Sequence, residues 1–528
     1  MPSAHVGVTP QVGCQIAAYR ASLAFLNRRI IERRLGKRRQ RRSGDSIRLA
    51  DRCTLFIADT ESGPRPHFGG RCAALATPPG GLLFGSRVSR CLRPALEGIV
   101  SSLLELPPVA PNVILVVTDD QRADSAREMP NVMSLARQGV SFANAFTTTP
   151  ICAPARASLL TGLQAPAHGV THNASYAAAG ANAFEESTLA TWFQAAGYRT
   201  AHFGKHLNGY GTRSPAIPPG WDDWRVFVRE TQNFFDYLLN DNGVVRAYGN
   251  APEDYSTDVI ATFAQDFVEE NAGVPFFLML TPYAPHGPST PAPRHAGRLA
   301  SMPPWRPASW GEDVADKPPW LRFLALNNSA LTANDPQVQM QRETLLAVDE
   351  AVADLSEQLD SLGLTDNTIF VFTSDHGLHW GEHRWIAKQT PYEESIRIPL
   401  VIRYPLRIDA DDVRPQLALN IDVAPTLADL AGVEPTHQMH GRTLADALAP
   451  APDWRTDVLL QHFPEGLAVP PWDMLRDQRY KYVQYPGGFT ELYDLAEDPS
   501  ELTNVAARPE NADLVATLAT RLNERLLE

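Results

Sequence analysis

The chain has 528 residues, 44% of them hydrophobic, and a formal net charge of −13. That is enough apolar material for a large core and for more than one domain. No run of about 18 uninterrupted apolar residues occurs, which argues against a spanning helix, and the acidic body argues against a nucleic-acid partner for it.

Charge and cysteine both divide near residue 100. Residues 1–100 hold 17 Lys+Arg against 6 Asp+Glu, whereas the remainder holds 30 against 54. Cys14, Cys53, Cys72 and Cys91 fall in the first stretch, so the body contains only Cys152 and has no internal disulfide to form. The run Arg28 to Arg42 suits an anionic membrane, a nucleic acid or a transit segment; alternatively residues 1–105 form a basic, disordered extension or an over-long gene start. The extreme N-terminus lacks the basic start, apolar middle and small-residue cleavage site of a secretory signal.

Order is expected from Pro111 onward. Asn112 to Thr118 is a β-branched apolar run that predicts a strand buried on both faces, ending in Asp119-Asp120. Adjacent carboxylates at a strand's carboxyl end are either a solvated turn pair or the seat of a hard divalent cation, which relieves their repulsion. Asn131 to Gly139 predicts a short helix, Thr188 to Ala196 another, and Tyr198 to Phe203 a second strand running into Gly204-Lys205. Pro218 to Trp224 is read as a loop with aromatic surface. Asp258 to Glu270 is amphipathic, with Ile260, Phe263 and Phe267 inward, and Pro275 to Leu280 is a third strand. His286 follows in Pro285-His286-Gly287-Pro288, a stiff loop that suits a proton donor.

Residues 290–335 are rich in Pro and Trp and read as a loop insertion over one face, and Glu343 to Leu362 is the clearest amphipathic helix. Thr368 to Thr373 is a fourth strand, delivering Ser374-Asp375-His376-Gly377 to the same kind of position as Asp119-Asp120. A loop with Trp380, His383, Trp385 and Lys388 leads to the strand Pro399 to Arg403. Alternating strands and helices predict an α/β fold: a large, mostly parallel sheet covered by helices on both faces over residues 106–420. From residue 421 the pattern changes. A helix through Ala424 to Leu430, a hairpin over Arg479 to Leu495 turning at Gly487-Gly488, and a terminal helix from about Asn511 predict a smaller α+β domain with an antiparallel sheet.

Cys152 stands in Pro150-Ile151-Cys152-Ala153-Pro154-Ala155-Arg156-Ala157-Ser158-Leu159-Leu160-Thr161-Gly162. A proline two residues on is tolerated in a first helical turn, so Cys152 is expected at a helix mouth, where free N–H groups attract anions. Arg156, one turn later, shares that face. The bland reading is a small buried hydrophobe; the neighbours favour a reactive residue.

Together these segments resemble the sulfatase family of the alkaline phosphatase superfamily, over roughly Pro111 to Glu528. Cys152 to Gly162 matches the family's C-x-P-x-R-x-S-x-x-T-G signature at every fixed position. Thr118-Asp119-Asp120-Gln121, Gly204-Lys205, the His286 loop, Ser374 to Gly377, Lys388 ahead of Pro391-Tyr392-Glu393-Glu394, and Leu492 to Leu495 agree in order. The Lys205-to-Asn208 segment, Pro219-Gly220-Trp221 and the His286 loop look most like the branch acting on 6-sulfated glucosamine.

The resemblance implies a sulfuric ester hydrolase of the arylsulfatase or N-acetylglucosamine-6-sulfatase type, acting on a sulfated small molecule or glycan. Cys152 is then converted to formylglycine by a separate maturation enzyme. Asp119, Asp120, Asp375, His376 and the modified Cys152 hold one calcium; Arg156, Lys205 and Lys388 neutralise sulfuryl oxygens; His286 protonates the leaving alcohol. The family's habit implies a secreted or periplasmic location, and the missing export signal a cytoplasmic one.

Two departures stand out. The family's K-x-H becomes Lys205-His206-Leu207, so Asn208 or His206 is expected to replace the usual partner of the modified residue. Position 376 is often Asn, an oxygen donor, whereas His offers nitrogen. The rival readings are a phosphonate or phosphate ester hydrolase of the same superfamily and a non-catalytic glycan-binding protein. The spacing argues against a cysteine phosphatase, because its C-x5-R loop puts the arginine six residues after the cysteine and Arg156 comes only four after Cys152.

Overall fold

The computed structural model describes residues 46–49, 53–56 and 110–528, apart from 179–180, 213–215, 229–230, 450–452 and 467. The chain divides into two units, Met1–Leu106 and Pro107–Glu528. Of the first, the described part is an antiparallel pair, β1 (Ser46–Leu49) with β2 (Cys53–Phe56). The remaining expectations for residues 1–105 lie outside the described residues.

In the second unit the strands of the large sheet are β3 (Asn112–Thr118), β4 (Val140–Phe146), β5 (Arg199–Gly204), β6 (Asp223–Phe227), β7 (Leu238–Asp241), β8 (Val244–Ala247), β9 (Phe276–Thr281), β10 (Thr368–Ser374), β11 (Leu400–Arg403) and β12 (Asp412–Leu419). Their order across the sheet is β12-β4-β11-β10-β3-β9-β5-β6-β7-β8. The centre, from β10 through β3, β9 and β5 to β6, is parallel; β11 runs against both neighbours, and β7 and β8 close one edge as an antiparallel hairpin. Every residue of β3, β9 and β10 is buried, as expected of strands covered on both faces.

Period-two alternation along β3 sorts its side chains into two cores. Val113, Leu115 and Val117 join the core formed with helices α2 (Cys152–Thr161), α3 (Leu189–Ala195) and α6 (Val423–Ala431), through Ala157, Leu160, Trp192 and Leu427. Ile114 and Val116 face α1 (Pro130–Arg137), α4 (Ser256–Glu270) and α5 (Asp335–Leu362), through Leu135, Ile260, Phe267, Leu345 and Val352. Helix α5 begins eight residues before the expected Glu343, because Pro336 sits in its first turn, where a missing N–H costs nothing. Residues 290–335 carry two short helices, Pro319–Leu324 and Asn328–Ala333, within otherwise irregular chain.

The smaller sheet is antiparallel, with β13 (Asp457–His462), β14 (Trp472–Asp477), β15 (Tyr480–Gln484) and β16 (Thr490–Asp494) in that order. One face packs on the terminal helix α7 (Ala512–Leu527) through Leu475, Tyr482, Leu492, Leu518 and Leu522. The other meets the ends of β4 and β12: Val458, Leu460, Trp472 and Met474 cluster with Phe146, Leu417 and Leu419. The expected hairpin is β15–β16. Among the described residues no helix is long and apolar enough to cross a membrane.

Candidate active site

Parallel pairing brings the reactive residues to one edge. Ser374 of β10 lies beside Thr118 of β3, so Asp375 and Asp119 leave their strands side by side, and the Asp375 N–H donates to Thr118 O. β9 delivers the His286 loop to the same edge, where the Asp119 N–H donates to Ala284 O. β5 delivers Lys205, whose N–H donates to Thr281 O on β9. These four strand ends form the crevice at which open α/β sheets place their ligands.

Gly204 makes the turn into Lys205 with φ +113°, and a Cβ there would lie 2.1 Å from Thr281 O. Gly204→Ala is expected to destabilise the protein by about 2 kcal/mol or more. It should also displace Lys205 and depress turnover. Denaturant titration together with an activity assay checks both effects, and unchanged stability would refute this account of the turn.

Cys152 is the first residue of α2 and is fully buried. Its Sγ lies 3.1 Å from Lys388 Nζ, 3.3 Å from His376 Nε2 and 3.6 Å from Asp119 Oδ1. Lys388 Nζ donates to Asp120 Oδ1 at 2.6 Å, and Lys205 Nζ pairs with Asp119 Oδ2. Arg156 Nε donates to Asp375 Oδ2 at 2.9 Å and its Nη1 to Lys205 O, while Nη2 has no hydrogen-bond partner among the described residues. His286 sits at the rim with Nε2 3.7 Å from Asp120 Oδ2. Its Nδ1 lies 2.8 Å from Gly287 O, and with Nδ1 as the donor, Nε2 is left facing the cluster.

Three carboxylates and three fixed cations therefore share a buried volume. Burial alone would raise the Asp119 and Asp120 carboxyls; the surrounding cations, Lys205 first for Asp119 and Lys388 first for Asp120, hold both below the usual carboxylate range. Lys205 and Lys388 stay charged above the ordinary lysine value despite burial, through those same partners. Burial lowers His286, so its ring is neutral at neutral pH.

The donor set also fits a cation. Asp119, Cys152, Asp375 and His376 offer ligand atoms within 4.8 Å of one another, as do Asp119, Asp120, Cys152 and His286. His376 Nδ1 lies 3.0 Å from Gly377 O, the backbone contact that aims the other nitrogen of a metal-binding histidine, and Nε2 points at Cys152 and Asp120. Burial disfavours a charge on His376, yet Asp375, Cys152 and Asp120 push it up to about 9. The carboxylates thus draw in a proton and the Lys388 ammonium, the behaviour of a site built for positive charge.

Residues 111–433 match the family model described as Sulfatase. The chain belongs to the sulfatase family. Residues 381–527 of this sulfatase also match the model described as N-sulphoglucosamine sulphohydrolase, C-terminal. It is 30% identical over 449 residues to the human N-acetylglucosamine-6-sulfatase, a match spanning 75% of this chain and 81% of that one. With the extracellular sulfatase SULF-1 homologue of Drosophila melanogaster it shares 35% identity over 351 residues, 64% of this chain and 31% of that protein. The chain spans less than half the length of the Sulf-1 relatives it matches. A protein solved in complex with its substrate D-glucosamine-2-N,6-O-disulfate superposes with a TM-score of 0.70 at 26% identity, over 79% of this chain and 97% of that one.

The sulfatase departs from the sequence expectation after Lys205. His206 turns into the core, where Nε2 lies 3.1 Å from Glu185 Oε1 and the ring packs edge-on against Trp224, Tyr210 and His202. Leu207 is buried in the first core. Neither His206 nor Asn208 is among the hydrogen-bond partners of Cys152, and Lys388 and His376 take that place. The reason is local: aromatic packing around Trp224 claims the His206 ring.

Support for the Lys388 loop comes from residues that sequence patterns do not single out. Trp472 Nε1 of β14 donates to Gln389 O at 2.8 Å and Lys481 Nζ of β15 to Pro391 O at 3.0 Å, so the smaller sheet pins the loop. Beneath it His383 Nδ1 sits 2.5 Å from Glu312 Oε1, with Nε2 3.6 Å from Glu394 Oε2. Burial opposes charge on His383, but those two carboxylates push it up to about 10 from 6.5. A raised folded-state value contributes stability that is complete below pH 6.5 and disappears as pH rises through about 10. The melting temperature of the wild type should accordingly exceed that of His383→Asn most at low pH, the gap closing over that window. A gap independent of pH would sink the assignment.

Proposed function

We propose that this chain hydrolyses sulfate esters of glucosamine-type sugars at the 6-position, with Cys152 converted to formylglycine and one calcium in the carboxylate cluster. The observation that carries the reading is the convergence of Cys152, at the mouth of a helix with Arg156 one turn on, upon three strand-end carboxylates and two lysines. The sugar and the position follow from what the human relative is called and from the substrate bound in the solved neighbour. The name of the Drosophila relative supports a secreted location.

Asp119, Asp120, Asp375, His376 and the side chain at position 152 would hold the calcium, which when bound supplies a fixed positive charge against the sulfuryl oxygens. Hydration of the formylglycine aldehyde provides a hydroxyl nucleophile with an exit through collapse back to the aldehyde, a route that an ordinary serine ester lacks. Arg156, Lys205 and Lys388 bind and orient the sulfuryl group, and their charges strengthen as the transition state gathers negative charge. Lys388 must exchange part of its contact with Asp120 for the substrate. The His286 Nε2 faces the leaving oxygen, and the arriving anion raises its proton affinity, so it takes up and delivers the proton the alcohol needs. Conversion of Cys152, whose side chain is buried, would be the work of a separate maturation enzyme.

Release of sulfate from N-acetylglucosamine 6-sulfate and from p-nitrophenyl sulfate, in preference to the p-nitrophenyl phosphate and phosphonate analogues, tests the reading. Preference for the phosphonate would move the chain to the rival hydrolase class. An unmodified Cys152 in the natural host, seen by peptide mass, would favour a binding role.

A further inference from the structure

Asp120, the carboxylate that meets Lys388, His376 and His286, has a left-handed backbone with φ +66°. A non-glycine residue stays in that region only where its surroundings over-determine it. Before and at the turn they do: the Asp120 N–H donates to Asp375 Oδ1 and the Gln121 N–H to Ser374 Oγ, both at 3.0 Å. The next residue, Arg122, closes the turn from the other side.

Arg122 is buried, and each of its guanidinium nitrogens has a fixed partner. Nε and Nη2 donate to the two oxygens of Asp124 at 2.9 and 2.8 Å, and Nη1 donates to Leu378 O at 3.2 Å and to Glu382 Oε1 at 2.7 Å. Leu378 is two residues beyond His376, and Glu382 stands at the start of the loop that carries Lys388. Glu382 is completely buried, and its oxygens also accept from Trp305 Nε1 at 2.5 Å and from the Trp380 N–H at 2.6 Å. The guanidinium lies 4.4 Å from the Trp380 ring centroid and 5.1 Å from that of Trp305. One side chain therefore ties the end of β3 to the loop after β10 and, through Glu382, to the insertion that carries Trp305.

We propose that Arg122 is a positioning residue, which holds Asp120 in its left-handed turn and thereby fixes the ligand-bearing ends of β3 and β10 against each other. It acts through Asp120 and the His376 loop rather than on the sulfate. The proposal rests on the calcium reading above and adds what keeps the ligand set in shape. Lysine would not replace it, because a single ammonium lacks the planar fork that bonds Asp124, Leu378 O and Glu382 together and lies against Trp380.

The test compares wild type, Arg122→Lys, Trp305→Phe and Val352→Ala. Val352 is buried in the core on α5, so its truncation is a control for lost stability alone. Calorimetry on the metal-stripped full chain gives the calcium dissociation constant, melting curves give stability, and p-nitrophenyl sulfate at saturating calcium gives kcat and KM. Losing support behind metal ligands typically weakens metal binding by about 10- to 100-fold, and Arg122→Lys should raise the dissociation constant by that factor. Its kcat should fall more than KM rises, since the displaced Asp120 is what Lys388 and His286 meet. Trp305→Phe keeps a ring but loses the bond to Glu382, and should weaken calcium binding in the same direction by less. Val352→Ala should lower the melting temperature and leave calcium affinity as in wild type. If Arg122→Lys melts lower but binds calcium as tightly as wild type, Arg122 is only a structural ion pair and the proposal falls. Should that variant not fold, unchanged calcium affinity in Trp305→Phe overturns the proposal instead. A wild type that binds no calcium overturns both the proposal and the calcium reading. A wild type that binds calcium but cleaves no sulfate ester overturns the sulfate-ester reading, and the affinity shift alone then upholds or overturns the role of Arg122.

Discussion

Replacing Cys152 with alanine should lower sulfate-ester turnover by about 10⁴-fold or more, because on the proposed mechanism it removes the group that becomes the nucleophile and leaves only binding and charge stabilisation. The fold should survive. The change truncates one small side chain at a fully buried position and leaves the ion pairs of Arg156 with Asp375, Lys205 with Asp119 and Lys388 with Asp120 in place. A melting temperature within about 5 °C of wild type is expected for so small a truncation in a chain of this size. Cys152→Ser sharpens the test: an oxygen nucleophile without the aldehyde exit should release at most one equivalent of alcohol per site and then stop. Substantial steady-state turnover by either variant would remove Cys152 from the nucleophile's role.

Stripping divalent metal with a chelator should abolish turnover and lower the melting temperature, and calcium should restore both. The physical reason is the repulsion among Asp119, Asp120 and Asp375, which Lys205, Lys388 and Arg156 offset only in part once a substrate anion also claims those cations. At about 100 times its dissociation constant a bound ion adds about 2.7 kcal/mol to stability. With His376 as a ligand in the proposed site, that residue sets the pH dependence. It must be neutral to ligate, and in the cluster without metal it holds a proton up to about 9. Binding below that pH therefore expels a proton, and affinity should rise by about tenfold per pH unit from neutrality toward 9. Calorimetric titrations with calcium at several pH values measure this directly. Affinity flat across that range would show that His376 is not a ligand, and a metal-free enzyme with full activity would remove the cation from the mechanism.

Local signals also mark elements outside the long apolar runs. The β7–β8 hairpin turns at Asn242-Gly243, both with positive φ, which is the strongest short hairpin signature. β6 begins inside Pro218 to Trp224 and its neighbours, read there as an aromatic loop; its Trp224 is completely buried. β12 escaped because Pro415 interrupts it, and the register indeed shifts between Arg414 and Leu417. The start of α5 is marked locally by Pro336 in its first turn, whereas the inward turn of His206 has no local pattern behind it.

By itself the sequence determined the elements and the chemistry they carry. Apolar runs of strand length at β3, β9 and β10, the amphipathic stretches of α4 and α5, and the spacing of Cys152 and Arg156 all express local periodicity, and local periodicity is written in the residues. Only the tertiary structure decided which of those groups meet. The parallel register of β10 on β3 sets Asp375 against Asp119, and the Lys388 ammonium reaches Cys152 across 236 residues of chain. Trp472 and Lys481 of the smaller sheet hold the Lys388 loop. Such contacts depend on strand order and on the packing of one sheet against the end of another. Those are properties of the whole chain's burial, for which no short stretch of sequence carries a period or a motif.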